Sequence, residues 1–255
     1  MEPKIEGINF RSVDEELLRY LHAVKVANYH QIHRDIYPGY HTRSVCNRLN
    51  VLEAKGLIVG MRQRFYASGK KVLSISKRGF EAVVAKETEK RLELKSEAIQ
   101  HDLSLVDIRH RLMQANRISK YLTENQIQTW GSLEYGADIA NLEHLNSDAI
   151  IAVQFPKAQV LVPLEYESHS KSETRYEPLV RNYYAKDEVA IVFYVCECEA
   201  IMNKIIKMEN SLYKGDKPKF FFCLLKELLQ DDAMPFKNCH GFALKMNESQ
   251  PMNKL

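Results

Sequence analysis

Three carboxylates, Asp148, Glu165 and Glu167, stand beside apolar runs in the second half of the chain, and Lys171 follows the last of them. Asp148 opens the apolar run 149–153, while Glu165 and Glu167 close the run 160–164. Residues two apart in a strand share a face, so Glu165 and Glu167 point the same way. If the two runs are neighbouring strands, all three acids gather at one end of a sheet. Such crowding is costly unless cations neutralise it, and an oxygen-rich set suits Mg²⁺ or Mn²⁺. An ion held there can activate water and polarise a phosphodiester. The structural alternative is that Glu165, Glu167 and Lys171 form a surface ion-pair set at a strand end.

A second constellation is built from charge. Residues 40–79 carry nine Lys/Arg and one acid, Glu53. A net +8 over forty residues repels itself and suits a polyanion such as the DNA backbone. Residues 1–95 sum to +7 and residues 96–255 to −4, so the overall +3 hides a basic module joined to a mildly acidic one.

The elements that position the basic residues follow from spacing. Ser12 and Glu15 form a capping-box pattern ahead of a helix with Val13, Leu17, Leu18 and Leu21 on one face. A short helix near 29–36 stops at Pro38-Gly39, and a third runs from Thr42 to Gly56. In the third, Val45, Leu49 and Leu52 face inward, and Arg43, Asn47 and Asn50 share the opposite side. Strands at 57–59 and 71–75 flank a turn near Ser68-Gly69, and a helix then begins at 76–79 with Phe80, Val83 and Val84 inward. Three helices followed by a basic hairpin make a winged helix-turn-helix. Its third helix can enter the major groove, with Arg43, Asn47, Arg48 and Asn50 towards the bases. Arg62, Arg64, Lys70 and Lys71 on the hairpin can reach phosphates or the minor groove. The alternative is a winged helix used only for protein contacts. The pair Arg48-Leu49 … Gly56-Leu57-Ile58 and Ser76-Lys77-Arg78-Gly79 closely resembles bacterial winged-helix domains.

The rest reads as a charged helical linker over 85–98, an α/β domain over 99–245 and a loose tail over 246–255, after a first domain at 1–84. A helix over 98–115 presents Ile99, Leu103, Val106 and Met113. Apolar runs at 149–153, 160–164, 190–195 and 220–225 read as strands. Helices are expected at 172–185, with Tyr176, Leu179, Val180 and Tyr183 on one face, and at 199–209. That order predicts an α+β protein whose second domain is an α/β sandwich with a mixed central sheet. Pro163 inside a strand argues for an edge or a bulge.

Ser147-Asp148 followed by Glu165-Tyr166-Glu167 resembles a degenerate PD-(D/E)XK nuclease motif. Together with His101-Asp102-Leu103, Lys171-Ser172, Arg175-Tyr176 and the winged helix in front, the chain resembles bacterial plasmid proteins of the replication-relaxation type. The resemblance implies DNA binding in plasmid or mobile-element maintenance and a restriction-endonuclease-like second domain, active or not. Ser147 stands where the motif has Pro, and Glu167 where it has its catalytic Lys. Lys171 is then the stand-in ammonium, and Asp102 or Glu134 the stand-in for an acid on the first helix.

The two functional readings are a double-stranded DNA-binding protein in replication, transfer or transcriptional control, and a Mg/Mn-dependent endonuclease or nickase. In the second, Asp148, Glu165 and Glu167 are metal ligands and Lys171 stabilises charge on phosphate. Partners in either case are DNA, a second copy of the chain or other plasmid-maintenance proteins. No run approaches the roughly eighteen apolar residues of a membrane span. The first residues lack a secretory core, and five cysteines fit a reducing cytoplasm. Cys196, Cys198, Cys239 and His240 would make a zinc site only if they converged; core or surface thiols are the simpler reading. His30 and His33 read as surface or capping residues, and the tyrosines 176, 183 and 184 as packing.

Overall fold

The computed structural model describes residues 9–62, 71–83, 96, 98–213 and 217–247, with the backbone alone at 62, 131–135 and 140. The chain is mixed α+β and divides into two compact units, Met1–Asp107 with Asn125–Gly131, and Ile108–Glu124 with Ser132–Leu255.

The first unit runs α1 (Ser12–Val24), β1 (Ala27–Asn28), α2 (Tyr29–Asp35), α3 (Thr42–Ala54), β2 (Ile58–Arg62), β3 (Lys71–Ile75) and α4 (Lys77–Val83). Its strands form an antiparallel sheet in the order β1-β3-β2. Leu17, Leu18 and Leu21 of α1 and Val45, Leu49 and Leu52 of α3 are buried, as their spacing requires. The start of α1 differs from the expected Ser12–Glu15 box. Arg11 is the N-cap, and Asp14 reaches back to accept its N–H at 2.8 Å. Asp14 wins that place because its buried carboxylate also binds the Arg48 guanidinium. The Ser68-Gly69 turn and most of the charged linker lie outside the described residues.

The glycine and serine signals of this unit lock into one joint. Gly56, at φ +69°, ends α3 in the left-handed region that favours glycine. The Ser76 N–H donates to the Leu57 carbonyl at 3.0 Å, and its hydroxyl donates to the Gly56 carbonyl. Ser76 Oγ in turn accepts the Gly79 N–H at 2.9 Å. Arg78 Nη1 binds the Lys55 carbonyl at 3.0 Å. A Cβ on Gly79 would lie 2.2 Å from the Leu57 carbonyl oxygen, so the joint closes only around glycine.

Helix α5 (Ile99–Leu112) belongs to the first unit as far as Asp107. Leu103 packs with Val26 and Val72, and its carbonyl accepts Gln31 Nε2 at 2.8 Å. The middle of α6 (Glu124–Tyr135) adds Trp130, whose ring centroid lies 5.3 Å from that of His22. Asn125 Nδ2 also donates to the His22 carbonyl at 2.8 Å.

The second unit contains β4 (Ile118–Thr123), α7 (Ala137–Glu143), β5 (Ala149–Gln154), β6 (Gln159–Glu167), α8 (Glu173–Tyr184), β7 (Val192–Cys196), α9 (Glu199–Leu212), β8 (Phe220–Leu224), α10 (Leu225–Gln230), β9 (Pro235–Lys237) and β10 (Ala243–Lys245). Its sheet has seven strands in the order β10-β9-β8-β7-β6-β5-β4. β6, β7 and β8 are mutually parallel, joined by crossovers through α8 and α9, and the remaining pairs are antiparallel. Every residue of β7 is fully buried, the pattern of a central parallel strand.

Three expectations change here. Met113 is 43% exposed, and Leu112 takes the inward place at the end of α5. Pro163 lies in a central strand, one residue before the ladder to β7 begins at Leu164. The proline therefore sits where β6 has a ladder partner on the β5 side only. Met246, placed with a loose tail, is buried; its carbonyl accepts the Arg117 N–H at 3.3 Å, and Asn247 Oδ1 accepts the Asn116 N–H at 2.8 Å. These bonds join the residues just before β4 to those just after β10, so the two outer strands of the sheet are linked at one end. Among the described residues no helix is long and apolar enough to cross a membrane.

Candidate functional site

The acids meet at one end of the seven-stranded sheet because of register. The antiparallel pairing of β5 with β6 ends at Ala149↔Leu164, which brings Asp148 beside Glu165. Asn146, at φ +51°, turns the chain after α7 and delivers Asp148 to the start of β5. Asparagine tolerates this left-handed backbone better than most side chains. Asp148 Oδ2 accepts the Tyr166 N–H at 2.7 Å, and its carbonyl accepts the Glu124 N–H at 3.0 Å.

Glu165 faces two buried phenols. The Tyr183 hydroxyl, from α8, donates to Glu165 Oε1. Tyr194 of β7 pairs in register with Glu165, and its buried hydroxyl has no hydrogen-bond partner among the described residues. Desolvation pushes the Glu165 carboxyl well above its usual range, and Asp148 pushes it further; the Tyr183 hydrogen bond and Lys171 pull the other way. Burial and the nearby Glu165 charge likewise raise Tyr183 and Tyr194 well above an ordinary phenol.

Glu167 and Lys171 pair directly, with the glutamate side chain nearly buried and the ammonium partly exposed. The loop holding Lys171 is fixed at its backbone: its N–H donates to Tyr176 Oη at 3.1 Å, and its carbonyl accepts Lys204 Nζ. The Tyr176 hydroxyl is pushed up to about 12, first by burial and also by Glu167. The sequence-predicted set Asp148, Glu165, Glu167 and Lys171 is thus assembled at one place. Tyr176 and Tyr183 were legible only as packing residues, yet the Tyr183 hydroxyl and the Tyr166 backbone N–H are what hold Glu165 and Asp148.

Each of the three acids has a partner where it stands. Asp148 Oδ2 accepts a backbone N–H, Glu165 Oε1 a phenolic O–H and Glu167 Oε1 an ammonium, while Glu167 Oε2 is buried without a hydrogen-bond partner among the described residues. Among the described residues no group of three or more His, Cys, Asp or Glu is arranged to hold a metal ion. The five cysteines are free thiols, with Cys196 buried in β7 and Cys198 exposed. Asp102 is buried in the first unit with its carboxylate 3.4 Å from the His101 ring, and Glu134 lies in α6.

In the first unit, Arg43, Asn47 and Asn50 are all exposed on the face of α3 opposite its buried leucines. Arg48 is turned away from that task. Its Nε donates to Asp14 Oδ1 at 2.8 Å, its Nη2 contacts Oδ2, and Nη2 also reaches the Asn9 carbonyl at 2.9 Å. Lys71 pairs with Glu53 across β2, directly over Gly60, where a Cβ would lie 2.0 Å from the Lys71 Cε. Arg62 ends β2, and Arg64 and Lys70 fall outside the described residues. His33 Nε2 contacts the Tyr40 carbonyl at 2.8 Å, a surface contact as expected for it, and His41 caps α3 by accepting the Arg43 N–H at 3.3 Å.

Comparison with curated proteins and with solved structures gives no match. A family model described as replication-relaxation matches residues 18–186, well over half of the chain. The match begins within α1 and ends just past α8, so it takes in both the exposed face of α3 and the four clustered residues Asp148, Glu165, Glu167 and Lys171. The chain belongs to the replication-relaxation family.

Proposed function

We propose that this protein binds double-stranded DNA in the replication or mobility of a plasmid or mobile element, with its first unit acting as a winged helix. The family points to plasmid replication or mobility. The observation that carries the DNA reading is the exposed face of α3, where Arg43, Asn47 and Asn50 stand together within the basic stretch 40–79. Arginine pairs with guanine and asparagine with adenine in the major groove, each good pair giving about 1–3 kcal/mol of discrimination. Arg62, Arg64 and Lys70 supply phosphate contacts that position the helix without reading sequence. The second unit is a nuclease-like α/β sandwich in which the acids serve architecture. Their hydrogen bonds from Tyr183 and the Tyr166 amide and the ion pair with Lys171 support that role.

The test is a fluorescence anisotropy titration of duplex DNA libraries with the wild type, Arg43→Ala and Asn47→Ala. Loss of sequence preference with retained non-specific affinity supports the reading; no DNA binding by the wild type at low salt removes it. The gathering of Asp148, Glu165 and Glu167 favours a second reading, a Mg- or Mn-dependent nickase. Supercoiled plasmid incubated with Mn²⁺ or EDTA decides between them. Metal-dependent nicking that disappears in Asp148→Ala establishes the nickase, and binding without nicking retains the first reading.

A further inference from the structure

Helix α3 presents a large apolar side chain to solvent among its polar ones. At about 100° per residue, Arg43, Asn47, Asn50, Val51 and Ala54 fall within an arc of about 100°, and all of them are exposed. Val45, Leu49 and Leu52 lie on the buried side. Val51, four residues beyond Asn47, is 42% exposed.

Neither folding nor helix formation accounts for a valine there. Its β-branch lowers helix propensity, and much of its surface stays in water. A lone exposed apolar residue is commonplace on a protein surface. Val51 differs in its company. The arc carries Arg43, Asn47 and Asn50 and no carboxylate, within a stretch of net +8. Glu53, the one acid of α3, lies on the opposite flank of the arc and pairs with Lys71. The major groove of DNA offers one apolar group, the 5-methyl of thymine, beside the donors and acceptors that pair with arginine and asparagine.

We infer that Val51 is a specificity-determining residue that packs against the 5-methyl group of a thymine. Four residues of helix rise about 6 Å, roughly two base pairs at about 3.4 Å each, so the thymine lies within about two base pairs of the base that Asn47 reads. The inference rests on the proposal that α3 enters the major groove, and it narrows the preferred ligand to duplexes with a thymine at that place.

The experiment takes the best-bound duplex from the library titration and replaces each thymine singly by deoxyuridine, which keeps the base pair and removes only the methyl. Affinities of the full chain and of Val51→Ser are read by fluorescence anisotropy. For the wild type, one position is expected to lose about fourfold, the worth of one buried methyl or methylene group. Val51→Ser should lower affinity for the thymine duplex by a similar factor and show no further loss with deoxyuridine at that position. Val51→Ala, a better helix former, repeats the comparison if Val51→Ser loses its circular dichroism spectrum. Equal wild-type affinity for every deoxyuridine duplex overturns the role of Val51, and so does an undiminished methyl effect in the variant. Both results leave sequence-preferring DNA binding standing. A wild type with no preferred duplex instead overturns the reading of α3, and this inference with it.

Discussion

Arg48 covers the carboxylate of Asp14, a side chain with no solvent-exposed surface, and so ties α3 to the first turn of α1. The hydrogen bonds to Asp14 raise the arginine above its already high ordinary value, while burial works in the other direction. Arg48 is therefore a structural cation in a helix whose exposed face carries Arg43.

The two arginines should separate cleanly. Arg48→Ala strands a buried carboxylate and is expected to cost about 3–5 kcal/mol in urea denaturation. Arg43→Ala should leave the urea midpoint unchanged and relax sequence preference instead. Adding Asp14→Asn to Arg48→Ala should recover part of the loss; a double variant no more stable than the single would show that the pair does not carry the effect.

The Glu165 carboxyl makes stability depend on pH in an unusual direction for an acid. Its value in the folded protein is raised above 4.5, so the fold binds this proton more tightly than the unfolded chain does. The contribution is complete below the unfolded value and is lost as pH rises through the folded one. Stability of the wild type should thus decline on moving from 4.5 towards neutrality, and Glu165→Gln, which keeps an acceptor for Tyr183, should flatten the decline. Identical pH profiles for the two proteins would remove Glu165 as the cause.

Gly79→Ala tests the joint between α3 and α4. The added methyl meets the backbone oxygen of Leu57 at 2.2 Å, where no flexible side chain can move aside. A loss of about 1–3 kcal/mol is expected from the forced backbone shift. A wild-type denaturation midpoint would show that the joint has slack.

Salt dependence tests the hairpin. Replacing both Arg62 and Arg64 by Ala should reduce the slope of log affinity against log salt by about two, one for each phosphate left without its arginine. Lys71 is held by Glu53, so Glu53→Gln should release it and steepen the same slope, with little change in stability because the pair is partly exposed. A slope indifferent to all three changes would exclude a phosphate-contacting hairpin.

Long periodic or continuous elements were legible from sequence, and short or polar ones were not. The runs that became β5, β7 and β8 are apolar along their length, and the helices α3, α8 and α9 carry apolar residues at helical spacing. β1, β9 and β10 have two or three residues each, too few to show a period. β4 reads Ile-Ser-Lys-Tyr-Leu-Thr, with exposed polar residues on an outer strand, and α6 buries Asn125 and Thr129, polar residues that interrupt an apolar stripe. At the site, adjacency of Asp148 and Glu165 followed from strand alternation once the two strands were neighbours. The roles of Tyr183 and Tyr194 did not, because the first comes from a crossover helix and the second from register with a later strand. The same holds for Arg48, whose partner lies 34 residues away.

The place of β7 beside β6 separates the family segment from the folding unit. The match stops at residue 186, whereas the strand that flanks Glu165 begins at Val192. A protein ended at 186 would keep all four clustered residues yet leave the edge of β6 from Leu164 to Glu167 bare. It would also lose Met246 and Asn247, which hold the entry to β4. An unpaired strand edge recruits other chains. Such a fragment is expected to aggregate, so the acid cluster has to be examined in a protein that retains the strands beyond the family segment.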